Sequence, residues 1–337
     1  MTLLSPSFKV RHLILAAALT TGPGFVNHAN AQTAFLVDLN SRTAIDLGTL
    51  GGVGSYVNGI NEAGLMVGYS YTADSYPNAF ITGPDWGGMK DLGTLVGGRS
   101  YAYGINDAGQ VVGNSSTASG NIHAFITGPN GRGMRDLGTL GGWDASYASG
   151  INNTGQVVGY SHTASGNLHA FITGPDGVGM RDLGTLGGNL SQASGINDAG
   201  QVVGFAEPAG GNFHAFITGP DGVGMRDLGT LGGSESLAYG INDAGQVVGY
   251  SRTTTEGASH AFITGPDGEG MTDLNSLVDL PQGRVLVRAM DINNSGQVIV
   301  MATIPEPEAY ALMLAGLGLV GFTARRKKGE IHKYLLN

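Results

Sequence analysis

Ala-Phe-Ile-Thr-Gly-Pro-Asp-Gly-Val-Gly-Met-Arg-Asp-Leu-Gly-Thr-Leu-Gly-Gly fills residues 170–188, and the same nineteen residues return unchanged at 215–233. Looser copies lie on both sides. Ala-Phe recurs at Ala34, Ala79, Ala124, Ala170, Ala215 and Ala261, in steps of 45 or 46 residues. Asp-Leu keeps the same steps at Asp46, Asp91, Asp136, Asp182, Asp227 and Asp273. Ile-Asn follows at Ile60, Ile105, Ile151, Ile196, Ile241 and Ile292, where the last step lengthens to 51 around Pro281-Gln282-Gly283. The chain is therefore an array of six units, and its fold is the fold of one unit repeated.

Each unit reads as four short strands. In the fourth copy, Ala170-Phe171-Ile172-Thr173 is an apolar β-prone run, and Gly174-Pro175-Asp176-Gly177 is turn chemistry. Met180-Arg181-Asp182-Leu183 is a second strand, and Gly187-Gly188 is expected to start a loop. Ala193-Ser194-Gly195-Ile196 is a third strand. Asn197-Asp198-Ala199-Gly200 is a tight turn, and Gln201 to Phe205 is the fourth strand. Neighbours such as Val202 and Val203 point to opposite faces, so both faces want burial. Four strands in about 45 residues match one blade of a propeller. The expectation is an all-β repeat protein, a six-bladed β-propeller with four short strands per blade. The first strand, Ala34-Phe35-Leu36, would complete the sheet of the last, Gln297-Val298-Ile299-Val300, and remove the open edges. The alternative is an open β-solenoid, which would need polar caps.

Composition agrees. Among 337 residues there are 59 Gly and no Cys, and only 13% are charged. This excludes a coiled coil, a Lys/Glu-rich bundle, a disulfide-stapled mini-domain and a zinc finger. Glycine lacks a three-residue period, which excludes collagen. Between Gln32 and Ile304 stand 10 Lys and Arg against 23 Asp and Glu, a formal balance of −13 that is more acidic than the −9 of the whole chain. Such a surface repels phosphate backbones, so nucleic acid is not an expected partner.

The two ends carry address information. Lys9, Arg11 and His12 precede an apolar stretch, 13–19, and Ala29-Asn30-Ala31 fits the small-x-small cleavage rule. Residues 1–31 thus read as a signal peptide with a short helix, cleaved after Ala31 by signal peptidase. At the other end, Pro305-Glu306-Pro307 precedes an uncharged apolar run at 309–324, followed by Arg325, Arg326, Lys327 and Lys328. Sixteen helical residues reach about 24 Å, short of a hydrocarbon core near 30 Å. Snorkelling arginines and Tyr310 could close the gap. The basic cluster should stay cytoplasmic, which makes 309–324 a membrane span and leaves everything before Pro305 outside.

This order of parts resembles the PEP-CTERM sorting signal of Gram-negative bacteria. In that family an exosortase, a membrane protease and transpeptidase, recognises Pro-Glu-Pro during export. Pro305, Glu306 and Pro307 match the motif one by one, and the basic stop matches too. The resemblance implies a membrane-anchored precursor that ends at the cell surface or in the extracellular matrix. Residues 329–337 extend beyond the point where members of the family usually end. The repeats resemble the HAF-repeat family of extracellular proteins. The triplet stands at His123-Ala124-Phe125, His169-Ala170-Phe171, His214-Ala215-Phe216 and His260-Ala261-Phe262. The first two copies carry Thr33 and Asn78 instead of His, and Asp273-Leu274-Asn275 replaces Asp-Leu-Gly. This likeness implies export and a scaffold, with no defined chemistry. Together the three regions, 1–31, 32–304 and 305–337, read as leader, repeat domain and sorting signal.

Three constellations are candidates for chemistry. The four histidines could ring an axis as metal ligands, but 45- and 46-residue spacings are not a local metal motif. Strand-end histidines bonding a neighbouring turn are the simpler reading. Asn106 and Asp107, Asn197 and Asp198, and Asn242 and Asp243 offer oxygens to calcium, yet each turn has too few, and Asx residues favour turns without any ion. Asp136, Asp182 and Asp227, preceded by Arg135, Arg181 and Arg226, repeat too faithfully for an active site, which needs one differentiated arrangement. No catalytic, cofactor or metal residue is assigned, and the protein is read as non-enzymatic. Variation falls instead at Trp143-Asp144-Ala145-Ser146-Tyr147, at 71–76 and at Glu207-Pro208. Trp143 and Tyr147 are the candidate ligand loop, able to stack on sugar rings of a polysaccharide. The expected role is interaction or structure in the exopolysaccharide envelope or biofilm matrix. A propeller enzyme acting on polysaccharide and a scaffold with no ligand are the alternatives.

Overall fold

The computed structural model describes residues 33–38, 43–83, 88–254, 258–280 and 283–303. Ala29, Ala31, the Pro305-Glu306-Pro307 motif, the 309–324 span and Arg325 to Lys328 lie outside them. The chain enters through β1 (Phe35–Asp38) and β2 (Thr43–Asp46). The first full sheet is β3 (Gly51–Ile60), β4 (Met66–Thr72), β5 (Pro77–Thr82) and β6 (Met89–Asp91). The second is β7 (Val96–Ile105), β8 (Val111–Thr117), β9 (Ile122–Gly128) and β10 (Arg132–Asp136). The third is β11 (Gly141–Ile151), β12 (Val157–Thr163), β13 (Leu168–Thr173) and β14 (Met180–Asp182). The fourth is β15 (Gly187–Ile196), β16 (Val202–Pro208), β17 (His214–Ile217) and β18 (Arg226–Asp227). The fifth is β19 (Gly232–Ile241), β20 (Val247–Thr253), β21 (Ser259–Ile263) and β22 (Thr272–Asp273). The pair β23 (Val285–Ile292) and β24 (Val298–Thr303) ends the described array. Neighbours within each of these groups are antiparallel, single parallel contacts (Ala145 with Ile122, Leu168 with Leu190) link the second, third and fourth groups edge to edge, and the described residues contain no α-helix.

The sheets stack because each is apolar on both faces. Val202 and Val203 are both fully buried, and they enter different cores. Val202 packs with Val158, Ile172 and Phe216, whereas Val203 packs with Ile217, Ala238 and Phe262. The pairs Val111 and Val112, Val157 and Val158, and Val247 and Val248 divide in the same way. Burying each valine stabilises by about 1.5–3 kcal/mol, so every interface rests on its own set of such contacts.

Hydrogen bonds between sheets repeat with equal regularity. The buried Asn106, Asn152 and Asn197 each donate from Nδ2 to the carbonyl of the next asparagine in the series, at 3.1 Å. Asn61 begins this ladder at 3.0 Å, and Asn242 passes it to Asn293 at 3.3 Å. A buried serine does the same deeper in each sheet. Ser191 Oγ, for example, accepts from Ala170 N at 2.8 Å and donates to Gly184 O at 2.5 Å.

Two expectations require correction. Gly187-Gly188 does not start a loop; it opens the ten-residue strand β15. Thr185 Oγ1 accepts from Gly187 N at 3.1 Å and donates to Gly188 O at 2.8 Å, fixing a strand start in which Gly187 takes a φ of 110° that favours glycine. Likewise Trp143 to Tyr147 lies inside β11, where the extra residue is absorbed as a register shift between Gly141 and Ser146. Pairing between the first and last strands is not among the described pairings, in which β1 pairs with β2 and β24 with β23. The two halves are complementary, since β1 and β2 occupy the outer-strand places and β23 and β24 the inner ones. In the full sheets a glycine sits where the two innermost strands touch. A Cβ on Gly159 would lie 1.9 Å from Tyr147 O. The last pair has Val300 there, opposite Ala289, which forces a different fit between its strands.

Candidate functional site

One place on the innermost strand and the residue directly across from it on the second strand recur in every sheet. The pairs are Tyr56 and Tyr69, Tyr101 and Asn114, Tyr147 and Tyr160, Gln192 and Phe205, and Leu237 and Tyr250. Side chains directly opposite on one face touch. Tyr56 stacks on Tyr69 with centroids 4.8 Å apart, and Tyr147 on Tyr160 at 4.9 Å. The contacts also cross between sheets. Tyr69 meets Tyr101 edge-on at 5.0 Å, and at the far end the Arg288 guanidinium lies 5.0 Å from the Tyr250 ring and 5.4 Å from Tyr239. The aligned places therefore form an interrupted aromatic band, broken by Asn114, Gln192 and Leu237, and among the described residues the ring-to-ring contact across a sheet boundary is the one between Tyr69 and Tyr101.

Desolvation is the leading cause that raises the phenol pKa values of Tyr69, Tyr103, Tyr160 and Tyr239, and it pushes Tyr250 up to about 12. The hydroxyls stay protonated at neutral pH. The band offers ring faces and neutral O–H groups rather than charge or a phenolate nucleophile.

Two cavities open along it. One, of about 180 Å³, is lined by Arg99, Tyr101, Asn114, Ser116, Ile122 and Tyr147, with Ser115. The second, of about 470 Å³, is lined by Tyr71, Tyr76, Pro77 and Gly98 and shares Arg99, Tyr101 and Ser116 with the first. Tyr147 lines the first cavity from a strand, not from the expected loop. Trp143 lies four residues earlier on the same strand, and its side chain is outside the described set. The feature the sequence reading missed is Asn114. It is the one non-aromatic residue among five aligned second-strand places, a signal visible once the copies are superposed.

The other candidates are accounted for locally. His123, His169, His214 and His260 each place Nδ1 2.6–2.8 Å from a carboxylate oxygen of Asp136, Asp182, Asp227 and Asp273 respectively. The partner is this carboxylate on the adjacent outer strand rather than a turn. Asp182 Oδ1 also accepts from Gly184 N at 2.7 Å, so one aspartate ties the histidine and the following turn together. At Asp273 desolvation pushes upward, but hydrogen bonds from His260 and Asn275 outweigh it and hold the carboxyl below its ordinary value. Arg135 and Arg181 reach the backbone carbonyls of Asp176 and Asp221 in the following sheet. The Asn-Asp turns are spent on the ladder: Asp107, Asp198 and Asp243 each accept a backbone N–H from the preceding sheet at 2.9–3.1 Å.

A third cavity, of about 290 Å³, lies where innermost strands converge, between Gly150, Gly195, Gly240 and Asp291. Asp291 takes a place held by glycine in the full sheets. A Cβ on Gly240 would lie 2.7 Å from its Oδ1. The residue keeps solvent access at its surface, yet desolvation of the carboxyl raises its pKa, against a hydrogen bond from Ile292 N.

Residues 303–327 match the PEP-CTERM protein-sorting motif, which indicates an exported protein made as a membrane-anchored precursor and processed by an exosortase. No curated protein matches the chain. Among solved structures, the β-propeller domain of the Trilobed protease from Pyrococcus furiosus, described as having an open velcro topology, is similar with a TM-score of 0.50 and 11% identity. That likeness covers 74% of this chain and 80% of that one. TolB from Acinetobacter baumannii gives 0.46 at 13% identity, over 71% of this chain and 58% of TolB, so the chain spans less than two thirds of that protein. A structure titled Nidogen/Laminin Complex gives 0.42 at 14% identity, over 72% and 90%. The likeness to the Trilobed protease domain shows the fold alone, an all-β, propeller-like array, and the sorting motif matches residues 303–327 of the same chain.

Proposed function

We propose that this chain is a non-enzymatic surface or matrix protein of the HAF-repeat type. Its six-bladed propeller contacts polysaccharide in the exopolysaccharide envelope or biofilm through the aromatic band. The observation that carries the reading is the sorting motif at 303–327, which supports export and exosortase processing. The band supplies the contact chemistry, since neutral rings pack against the C–H faces of sugars. The repeated carboxylates support a non-enzymatic role, each being engaged by a histidine or a turn. The sixth blade is the union of β23 and β24 with β1 and β2, whose strand complements match. Signal peptidase would remove residues 1–31, and the 309–324 span would hold the precursor until the exosortase acts.

Mass spectrometry of the mature protein from its host tests the sorting half. The expected product starts at Gln32 and lacks Arg325 to Lys328, and Glu306→Ala retains them. An intact tail in the envelope fraction would reduce the segment to a simple anchor. Release of reducing sugar from polysaccharide by the purified protein would favour the enzyme reading instead.

A further inference from the structure

The second sheet breaks the repeat at one atom group. Four of the five aligned second-strand places carry Tyr69, Tyr160, Phe205 and Tyr250, whereas the second sheet carries Asn114. At the preceding boundary the aromatic ring of one sheet fills the space beside the next: Tyr69 meets Tyr101 at 5.0 Å. At the boundary between second and third sheets that ring is missing. The space it would fill is the 180 Å³ cavity, with Tyr101 and Tyr147 lining it. Asn114 is only 7% exposed; its amide group hydrogen-bonds the Tyr103 hydroxyl, while its Oδ1 has no hydrogen-bond partner. A buried amide oxygen without a donor is destabilising, so the place is completed when a donor arrives from outside. The exposed Arg99 borders both this cavity and its larger neighbour.

We infer that the cavity between Tyr101, Asn114 and Tyr147 is a binding site for one pyranose ring of a neutral glycan. A sugar hydroxyl donates to Asn114 Oδ1, the two tyrosines pack on the ring, and Arg99 donates to a sugar oxygen. The adjoining 470 Å³ cavity, lined by Tyr71 and Tyr76, receives the next residues of the chain. Neutral sugars are favoured over uronates because the repeat region carries a formal balance of −13, which repels polyanions. This site rests on the reading of the aromatic band as the glycan-contacting face and narrows it to one subsite.

The test uses the full chain in detergent, titrated with neutral tetrasaccharides of glucose, galactose, mannose and N-acetylglucosamine and with a tetrauronate. Asn114→Tyr restores the residue of the neighbouring sheets and fills the cavity. It is expected to weaken neutral-glycan binding by at least about tenfold while leaving the melting temperature unchanged or higher. Asn114→Ala should weaken binding without filling the space. Wild-type affinity in Asn114→Tyr, with loss in Tyr250→Ala, would overturn this subsite and keep the band reading. Failure of every glycan to bind would overturn both. Preferential binding of the tetrauronate would overturn the neutral assignment.

Discussion

Removing one rung of the asparagine ladder measures how the sheets are held together. Asn152 is 4% exposed; its Nδ2 donates to Gln156 Oε1 at 2.8 Å and Asn197 O at 3.1 Å, and its Oδ1 accepts from Gln156 N at 2.9 Å. Asn152→Ala leaves the buried Gln156 N–H unpaired and removes the bond to Asn197 O, a carbonyl that keeps its bond from Gly200 N at 3.0 Å. At about 1–3 kcal/mol for the orphaned N–H and about 0.5–1.5 kcal/mol for the lost bond between sheets, the expected loss is roughly 3 kcal/mol. Urea denaturation of residues 32–304, followed by circular dichroism, reads it as a lower midpoint at constant slope. A loss under about 1 kcal/mol would refute the ladder as a stabilising device. Asn293 supplies an internal comparison. In the described structure its Nδ2 bonds only Gln297 Oε1, at 2.9 Å, in an exposed setting. If β1 completes the last sheet, Asn293 gains the carbonyl of Asn61, and Asn293→Ala matches Asn152→Ala. If the array stays open, the loss is about 1 kcal/mol or less.

Other outcomes follow from the same geometry. Leu36→Cys with Ile299→Cys, placed by analogy with the pairing of Ile81 and Val67, should form an intramolecular disulfide in a chain with no native Cys; only intermolecular products on non-reducing gels would contradict ring closure. Gly159→Ala should be among the most destabilising single-methyl additions, because the Cβ would meet Tyr147 O at 1.9 Å; a melting temperature equal to wild type would contradict it. Asp291 has a raised pKa in the folded state, so the stability linked to its neutral form is present below the unfolded value near 3.9 and is lost as pH rises through the folded value. Asp291→Asn should therefore stabilise at pH 7 and have little effect at pH 3, as thermal melts at both pH values would show. Asp273 has the opposite sign: its depressed pKa contributes stability above the unfolded value that fades as pH falls through the folded one, and Asp273→Asn should flatten that acid limb.

Much of this architecture is legible in the sequence because its physics is local. Val202 and Val203 announce burial on both faces, and Asn-Asp-Ala-Gly announces a turn. Contacts that join one sheet to the next were hidden. Asn152 reads as an ordinary turn residue until its partner 45 positions away is known; within one sheet, likewise, His169 finds Asp182 across a strand pair. Strand length was misjudged at Gly187-Gly188, where glycine marks close strand approach as well as turns. Asn114 was legible in principle, since aligned copies expose it, but its meaning depends on Tyr147 lying beside it in the next sheet.

The ladder has a direction: each sheet offers amide donors to its successor and carbonyl acceptors to its predecessor. A polypeptide threaded through a membrane from its N-terminus presents these surfaces in order, so each newly emerged sheet meets a finished template. Growth from a seed in this way keeps neighbours in sequence even where two sheets share an identical segment, 170–188 and 215–233.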